Sequence, residues 1–181
     1  MNLLTARLSV LAIFFVHGLV FSTWVSRIPA VQDALGLSTG RLGFALLGVA
    51  AGSVVSMPLA GWLVSRYGSR PVTAISSLVF AGALAPPAFA GSAFSLALAL
   101  SLLGLAAGAM DVSMNAQGVL VERIARKPMM SGFHAAFSIG GMAGSAAGGF
   151  IARAGVGVQP HFIGAAMVYL VLVAASIRGL L

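Results

Sequence analysis

Asp111 is the sharpest chemical signal in this sequence. The chain has three acids, and the other two, Asp33 and Glu122, fall between its long apolar runs. A carboxylate held in hydrocarbon is costly, so it is a functional-site hypothesis by default. Asn115 follows four residues later, and on a helix the two side chains share a face. Gly104, Gly108 and Gly118 fall near that face, which turns it toward protein or a cavity. A carboxyl that gains and loses a proton as its exposure changes is a workable coupling device. The alternative is a hydrogen-bonded aspartate that fixes its helix to a neighbour. His17 stands near the centre of the first apolar run, with Phe14, Phe21 and Trp24 broadly on its side. That group can form a stacking and hydrogen-bonding wall for a polar solute, or an aromatic packing stripe around a satisfied histidine. His134 and Ser138, four apart, begin the fifth run. An imidazole titrates near neutral pH, so His134 can relay protons toward Asp111 or simply face headgroups.

Other chemistry lacks its residues. There is no H-E-x-x-H, no G-x-S-x-G and no second acid inside an apolar run, so an enzyme is not expected. No catalytic residue, metal site or cofactor is expected. The absence of cysteine removes disulfides, thiolate metal sites and cysteine nucleophiles together.

The elements that must position these residues are set by composition. The chain has 181 residues, 60% of them hydrophobic and only 7% charged, where a soluble domain carries about 25% charged residues. Mean hydropathy is +1.06. Such a chain cannot cover a water-facing surface with charge, and it is too apolar for a disordered tail. Its solvent is the lipid bilayer. The net charge of +7 comes from scattered residues between apolar runs, which argues against nucleic acid as a partner. About 20 apolar residues cross a bilayer as a helix, and the sequence offers six such spans, at 8–26, 42–64, 71–90, 94–121, 129–152 and 160–177. Pro86 and Pro87 can kink or end the third.

Lysine and arginine orient the spans. With the N-terminus in the cytoplasm, Arg7, Arg66, Arg70, Arg123, Arg126, Lys127 and Arg178 lie inside, and Arg27, Arg41 and Arg153 lie outside. Both termini are therefore expected in the cytoplasm of a multi-pass plasma (inner) membrane protein. Trp24 is expected in the outer aromatic belt and Arg27 at the outer interface, with its stem snorkelling. Glycines four apart let helix backbones approach in lipid. Gly48 and Gly52, Gly104 and Gly108, and the triple Gly140, Gly144 and Gly148 have that spacing.

Two of these segments carry a resemblance. Gly61-Trp62-Leu63-Val64-Ser65-Arg66-Tyr67-Gly68-Ser69-Arg70 resembles the loop signature of the major facilitator superfamily, G-x-L-a-D-r-x-G-r-k. Gly61, Leu63, Arg66, Gly68 and Arg70 match, between the second and third spans where the family carries it. Ser65 stands in place of the acid that, in the family, helps latch the two halves together. The run from Gly140 to Gly149 is similar to the family's antiporter pattern g-x-x-x-G-P-x-x-G-G, with Ser145 in place of the proline. The fourth span lacks the arginine of proton-coupled drug exporters; Leu100 stands there. Two further runs, Trp24 to Val31 with Leu35 to Ser38, and Met110 to Gly118, resemble a bacterial, sugar-permease-like branch.

The resemblance implies an all-α integral membrane fold: six transmembrane helices over residues 1–181, forming the N-terminal half of a two-half bundle. It implies a secondary transporter that moves a small-molecule solute by alternating access; proton coupling is an expectation from the intramembrane Asp111 itself, not from the resemblance. The partner would be a second six-helix half or a second copy. The other reading is a truncated or non-transporting membrane module that acts only with a partner half.

Overall fold

The computed structural model describes residues 2–181. Its helices are α1 (Leu3–Ser26), α2 (Ile28–Ala34), α3 (Thr39–Tyr67), α4 (Ser69–Gly82), α5 (Ala93–Ala125), α6 (Met130–Arg153) and α7 (Val158–Ser176), with single 3₁₀ turns at Pro86–Phe89 and Ile177–Gly179. Six helical segments are long and apolar enough to cross a membrane. No strand occurs among the described residues, so the all-helical expectation holds.

Local chemistry sets the helix ends. The Asn2 carboxamide accepts from the Leu4 N–H, and the Ser38 hydroxyl accepts from the Arg41 N–H. Ser92 and Ser95 cap the start of α5 reciprocally, giving two orphan N–H donors a partner. This capping box defines the boundary that composition left vague between the third and fourth apolar runs. Gly68 ends α3 and starts α4 at φ 82°, a backbone conformation that a Cβ disfavours. The loop signature is therefore a turn between antiparallel helices. Helix α4 stops at Gly82, before the two prolines, and Pro86 and Pro87 sit in the following 3₁₀ turn. The short helix α2, with Pro29 in its first turn, lies in a segment that hydropathy alone left as a connection.

Packing is dominated by two helix pairs, α3 on α5 and α1 on α6. Both pairs are in backbone contact. A Cβ at Gly104 would strike the Val49 carbonyl, and one at Gly52 would strike the Ser101 carbonyl. In the other pair, Gly140 faces the Phe15 carbonyl, Gly18 the Phe137 carbonyl and Gly144 the Leu19 carbonyl. Hydroxyls add interhelical bonds, as expected where the solvent is lipid. The Ser53 Oγ–H donates to the Gly104 carbonyl at 3.0 Å, Thr23 pairs with the Tyr169 hydroxyl at 2.8 Å and Ser76 with Ser113 at 3.2 Å. Helix α4 packs on α5 and α7, and α1 also packs on α5 and α7. If the membrane-crossing helices are taken in chain order as α1, α3, α4 and then α5, α6, α7, the first of each three, α1 or α5, packs on the second of the other three, α6 or α3.

Adding a side chain at these contacts should overpack the pairs at a cost of about 1–3 kcal/mol each. Gly104→Val and Gly140→Val should each lower the thermal midpoint in detergent, followed by loss of the monodisperse size-exclusion peak. Gly164→Ala, where a Cβ meets nothing within 4 Å, should leave that midpoint unchanged or slightly raised.

Candidate functional site

The α1, α3, α5 and α6 helices enclose a cleft of about 220 Å3. Its walls include His17 and Phe21 from α1, Ser53 and Met57 from α3, Gly108 and Asp111 from α5 and Phe137 from α6. The backbone contacts build this wall. Gly108 lies against Ser53 and Ser56 of α3, which brings the next turn of α5, with Asp111, close to α3. Gly18 lies against Phe137 and Gly141 of α6, which fixes the neighbouring turn of α1, with His17.

His17 and Asp111 therefore line one space, although nearly a hundred residues of sequence separate them. His17 is buried, its ring between Phe80 at 5.0 Å and Phe137 at 5.4 Å. Neither ring nitrogen has a hydrogen-bond partner, and both are shut off from solvent within the cleft wall. A buried polar group without a partner costs about 1–3 kcal/mol, a debt that a bound polar solute or water would offset. Asp111 is half-buried, and its side-chain partner is Asn115, whose amide donates to the Asp111 carbonyl at 2.8 Å and to its carboxylate at 3.3 Å. The other carboxylate oxygen is left for a proton or a ligand. His134 is near enough to act on Asp111 electrostatically, and its ring meets Phe14 edge-on at 5.3 Å. His134 is itself exposed at the bundle surface.

Trp24 lies elsewhere. It is buried against Phe162 of α7 with ring centroids 6.1 Å apart, so it is neither in the cleft wall nor in an exposed aromatic belt. The hydrophobic interior between α1 and α7 outcompetes the interface for a ring that large. Arg27 also departs from expectation. It is 4% exposed and donates to the Val156 carbonyl at 2.8 Å, tying the α1–α2 corner to the α6–α7 turn instead of reaching headgroups. The signature residues Gly61, Arg66, Gly68 and Arg70 line the α3–α4 turn, away from the cleft. Arg66 stacks over Trp62 and Tyr67 at 5.9 and 5.7 Å. Gly148 packs on Ser26 and His161, completing the glycine face of α6 against α1.

Sequence reasoning passed over several partners. Ser53 and Phe137 form cleft walls. Gln117, fully buried, donates to Ser69 and to the Leu181 carbonyl, at 3.0 and 2.7 Å. The Glu122 carboxylate accepts from the Met129 and Met130 N–H groups, capping α6, so its place among the loop charges is a local structural one. No local spacing announced this contact, because Glu122 lies inside α5, eight residues before the first residue of α6. Among the described residues, no group of three or more His, Asp or Glu could hold a metal.

The pattern of the whole chain matches a family model, the Major Facilitator Superfamily, over residues 10–179. The chain belongs to that superfamily. It is 37% identical over 147 residues to an uncharacterised MFS-type transporter of Yersinia pestis, covering 81% of this chain and 38% of that protein. It is 36% identical over 151 residues to an uncharacterised transporter of Sinorhizobium fredii, covering 83% of this chain and 40% of that one. Membrane protein MosC of Rhizobium meliloti is 37% identical over 131 residues, 72% of this chain and 32% of that protein. The fold is similar to the crystal structure of the nucleoside transporter NupG, with TM-score 0.74 and 16% identity, covering 97% of this chain and 44% of that chain. The chain thus spans about two-fifths of the length of the first two relatives. It is a multi-pass membrane protein of a transporter family.

The Glu122 cap predicts a local effect. Glu122→Ala should speed amide hydrogen exchange at Met129 and Met130 without changing exchange in the α3–α5 contact. Glu122→Gln should restore part of the protection.

Proposed function

We propose that this chain forms one six-helix half of a secondary transporter that moves a small polar solute by alternating access. The observation that carries this reading is the cleft that both residues line, with one Asp111 carboxylate oxygen free and two buried, unpartnered nitrogens on His17 in its wall. Membership of a transporter family supports it. The other face of the solute site would come from a second six-helix unit, either further along a longer protein or in another copy. Both ends of the chain lie on the cytoplasmic side in this reading, because Arg66, Arg70, Arg123, Arg126 and Lys127 cluster at the α3–α4 and α5–α6 turns.

In the proposed cycle Asp111 takes a proton from water on one side while the cleft is open there. Closure desolvates the carboxylate, and neutralising it makes that desolvation affordable. Opening to the far side rehydrates the group, and the proton leaves. His17 hydrogen-bonds the solute, with Phe21 and Phe137 as its apolar walls. His134, close to Asp111 and exposed, would pass the proton between the carboxyl and water.

The test is proton-driven uptake in vesicles carrying an imposed pH gradient, with candidate solutes screened by a trapped pH indicator. Asp111→Asn should abolish proton movement coupled to solute while leaving solute exchange at equal pH measurable. Coupling that survives in Asp111→Asn would sink the proton-carrying role. Once a solute is found, His17→Gln should raise its KM about tenfold, the loss of roughly one buried hydrogen bond, and leave the proton stoichiometry unchanged.

A further inference from the structure

A concavity larger than the cleft lies elsewhere on the chain. It is an apolar groove of about 680 Å3 on the outside of the bundle. Helices α3 and α4 both pack on α5 but hardly on each other, so α5 forms a floor between two diverging walls. Leu59 and Leu63 face Ile75 and Val79 across it, with Leu105 and Ala109 beneath. Six of the lining side chains are large apolar groups left exposed, among them Ile75 by 65% and Leu59 by 53%. Along α3 the groove runs from Ser56 to Tyr67, about 16 Å of helix rise. One leaflet of a bilayer core is about 15 Å deep. The groove is therefore as long as one leaflet and open along its side to the hydrocarbon.

Its mouth is cationic. Tyr67 and Pro71 line that end, and Arg66 and Arg70, exposed, flank them. The Arg66 guanidinium is held between the Trp62 and Tyr67 rings and gives its Nε–H to the Tyr67 hydroxyl at 3.3 Å. Where an acid could have neutralised it, at the preceding position, stands Ser65, whose hydroxyl donates instead to the Trp62 carbonyl. No acid is among the groove-lining residues. Trp62 and Tyr67 are exposed aromatics of the kind that sit at headgroup depth, which places both guanidinium groups at the level of lipid phosphates.

We propose that the groove between α3 and α4 is a binding site for one anionic phospholipid, with an acyl chain along α5 and the headgroup on Arg66 and Arg70. An apolar trough one leaflet deep, with the stacked Arg66 and the exposed Arg70 beside its mouth, matches such a lipid in length, polarity and charge. A zwitterionic lipid fits the trough but carries its own cation to the arginines, so the site discriminates by headgroup charge.

The chain supplies its own reporter. Trp62 is at the mouth, while the other tryptophan, Trp24, is 1% exposed inside the bundle. The protein would be reconstituted in phosphatidylcholine vesicles containing a minor fraction of phosphatidylglycerol. Bromine would be placed on the acyl chains of one lipid or the other at equal total bromine. Quenching of Trp62 by brominated phosphatidylglycerol should exceed that by brominated phosphatidylcholine several-fold per mole. Arg66→Gln/Arg70→Gln should bring that ratio to one. The ratio cancels any change the substitution makes in Trp62 brightness. Leu105→Phe, which adds bulk inside the groove, should lower the ratio with both arginines intact. Native mass spectrometry of the unsubstituted chain released from these vesicles should retain one phosphatidylglycerol. Equal quenching by the two lipids in the unsubstituted chain, or a ratio unchanged in the double variant, would overturn the proposal. So would the absence of quenching by either lipid, which would mean that protein covers the groove.

Discussion

Backbone-to-backbone approach of helices in lipid is the constraint from which the rest of this structure follows. In a bilayer there is no hydrophobic force to drive helices together, because lipid tails are as apolar as leucine. Close contact must come from dispersion and from polar bonds over short distances. Glycines supply the distance: Gly48, Gly52 and Gly104 between α3 and α5, and Gly18, Gly140 and Gly144 between α1 and α6, each face carbonyl groups of the partner helix. Dispersion is weak per atom pair and large only in sum, so both pairs depend on the whole glycine face and not on one residue.

The placing of the polar groups is a consequence. With α3 drawn onto α5 and α1 onto α6, the faces left between the pairs carry His17, Ser53, Asp111 and Phe137. The tight contacts absorb backbone and small hydroxyls; the cleft receives what they cannot. On the outer side the same tight pair leaves α4 standing off from α3, and the apolar groove opens there. One packing choice thus makes a polar recess inside and an apolar one outside.

Much of this was legible in the sequence, for identifiable reasons. The six apolar runs, the glycine spacing and the turn at Gly68 are local signals, and local signals survive folding. Asp111 and Asn115 could be paired because a helix alone fixes that geometry. Residues whose role depends on helix rotation could not be placed. Trp24 reads as a belt residue by type and position, but it faces inward, against Phe162. Arg27 reads as a snorkelling cation, yet the α6–α7 turn folds over it and offers the Val156 carbonyl. The meeting of His17 with Asp111 depends on two separate helix pairs being built first, and no spacing along the chain encodes it. Helix α2 escaped notice because it is short and half-polar, and its start is set by Pro29 more than by hydropathy.

Close helix pairing brings His17 and Asp111 to one cleft, and transport through it requires that water reach that cleft. The chain has no cysteine, so single cysteines can be placed at will. Ser53→Cys and Ala107→Cys on the cleft wall and Leu98→Cys on an exposed face would be treated with a charged, membrane-impermeant thiol reagent in sealed and permeabilised vesicles. Cleft cysteines that react while Leu98→Cys stays silent are the predicted result. Silence at both cleft positions, or reaction at Leu98→Cys as fast as at Ser53→Cys, would rule out a water-reachable cleft between the helix pairs.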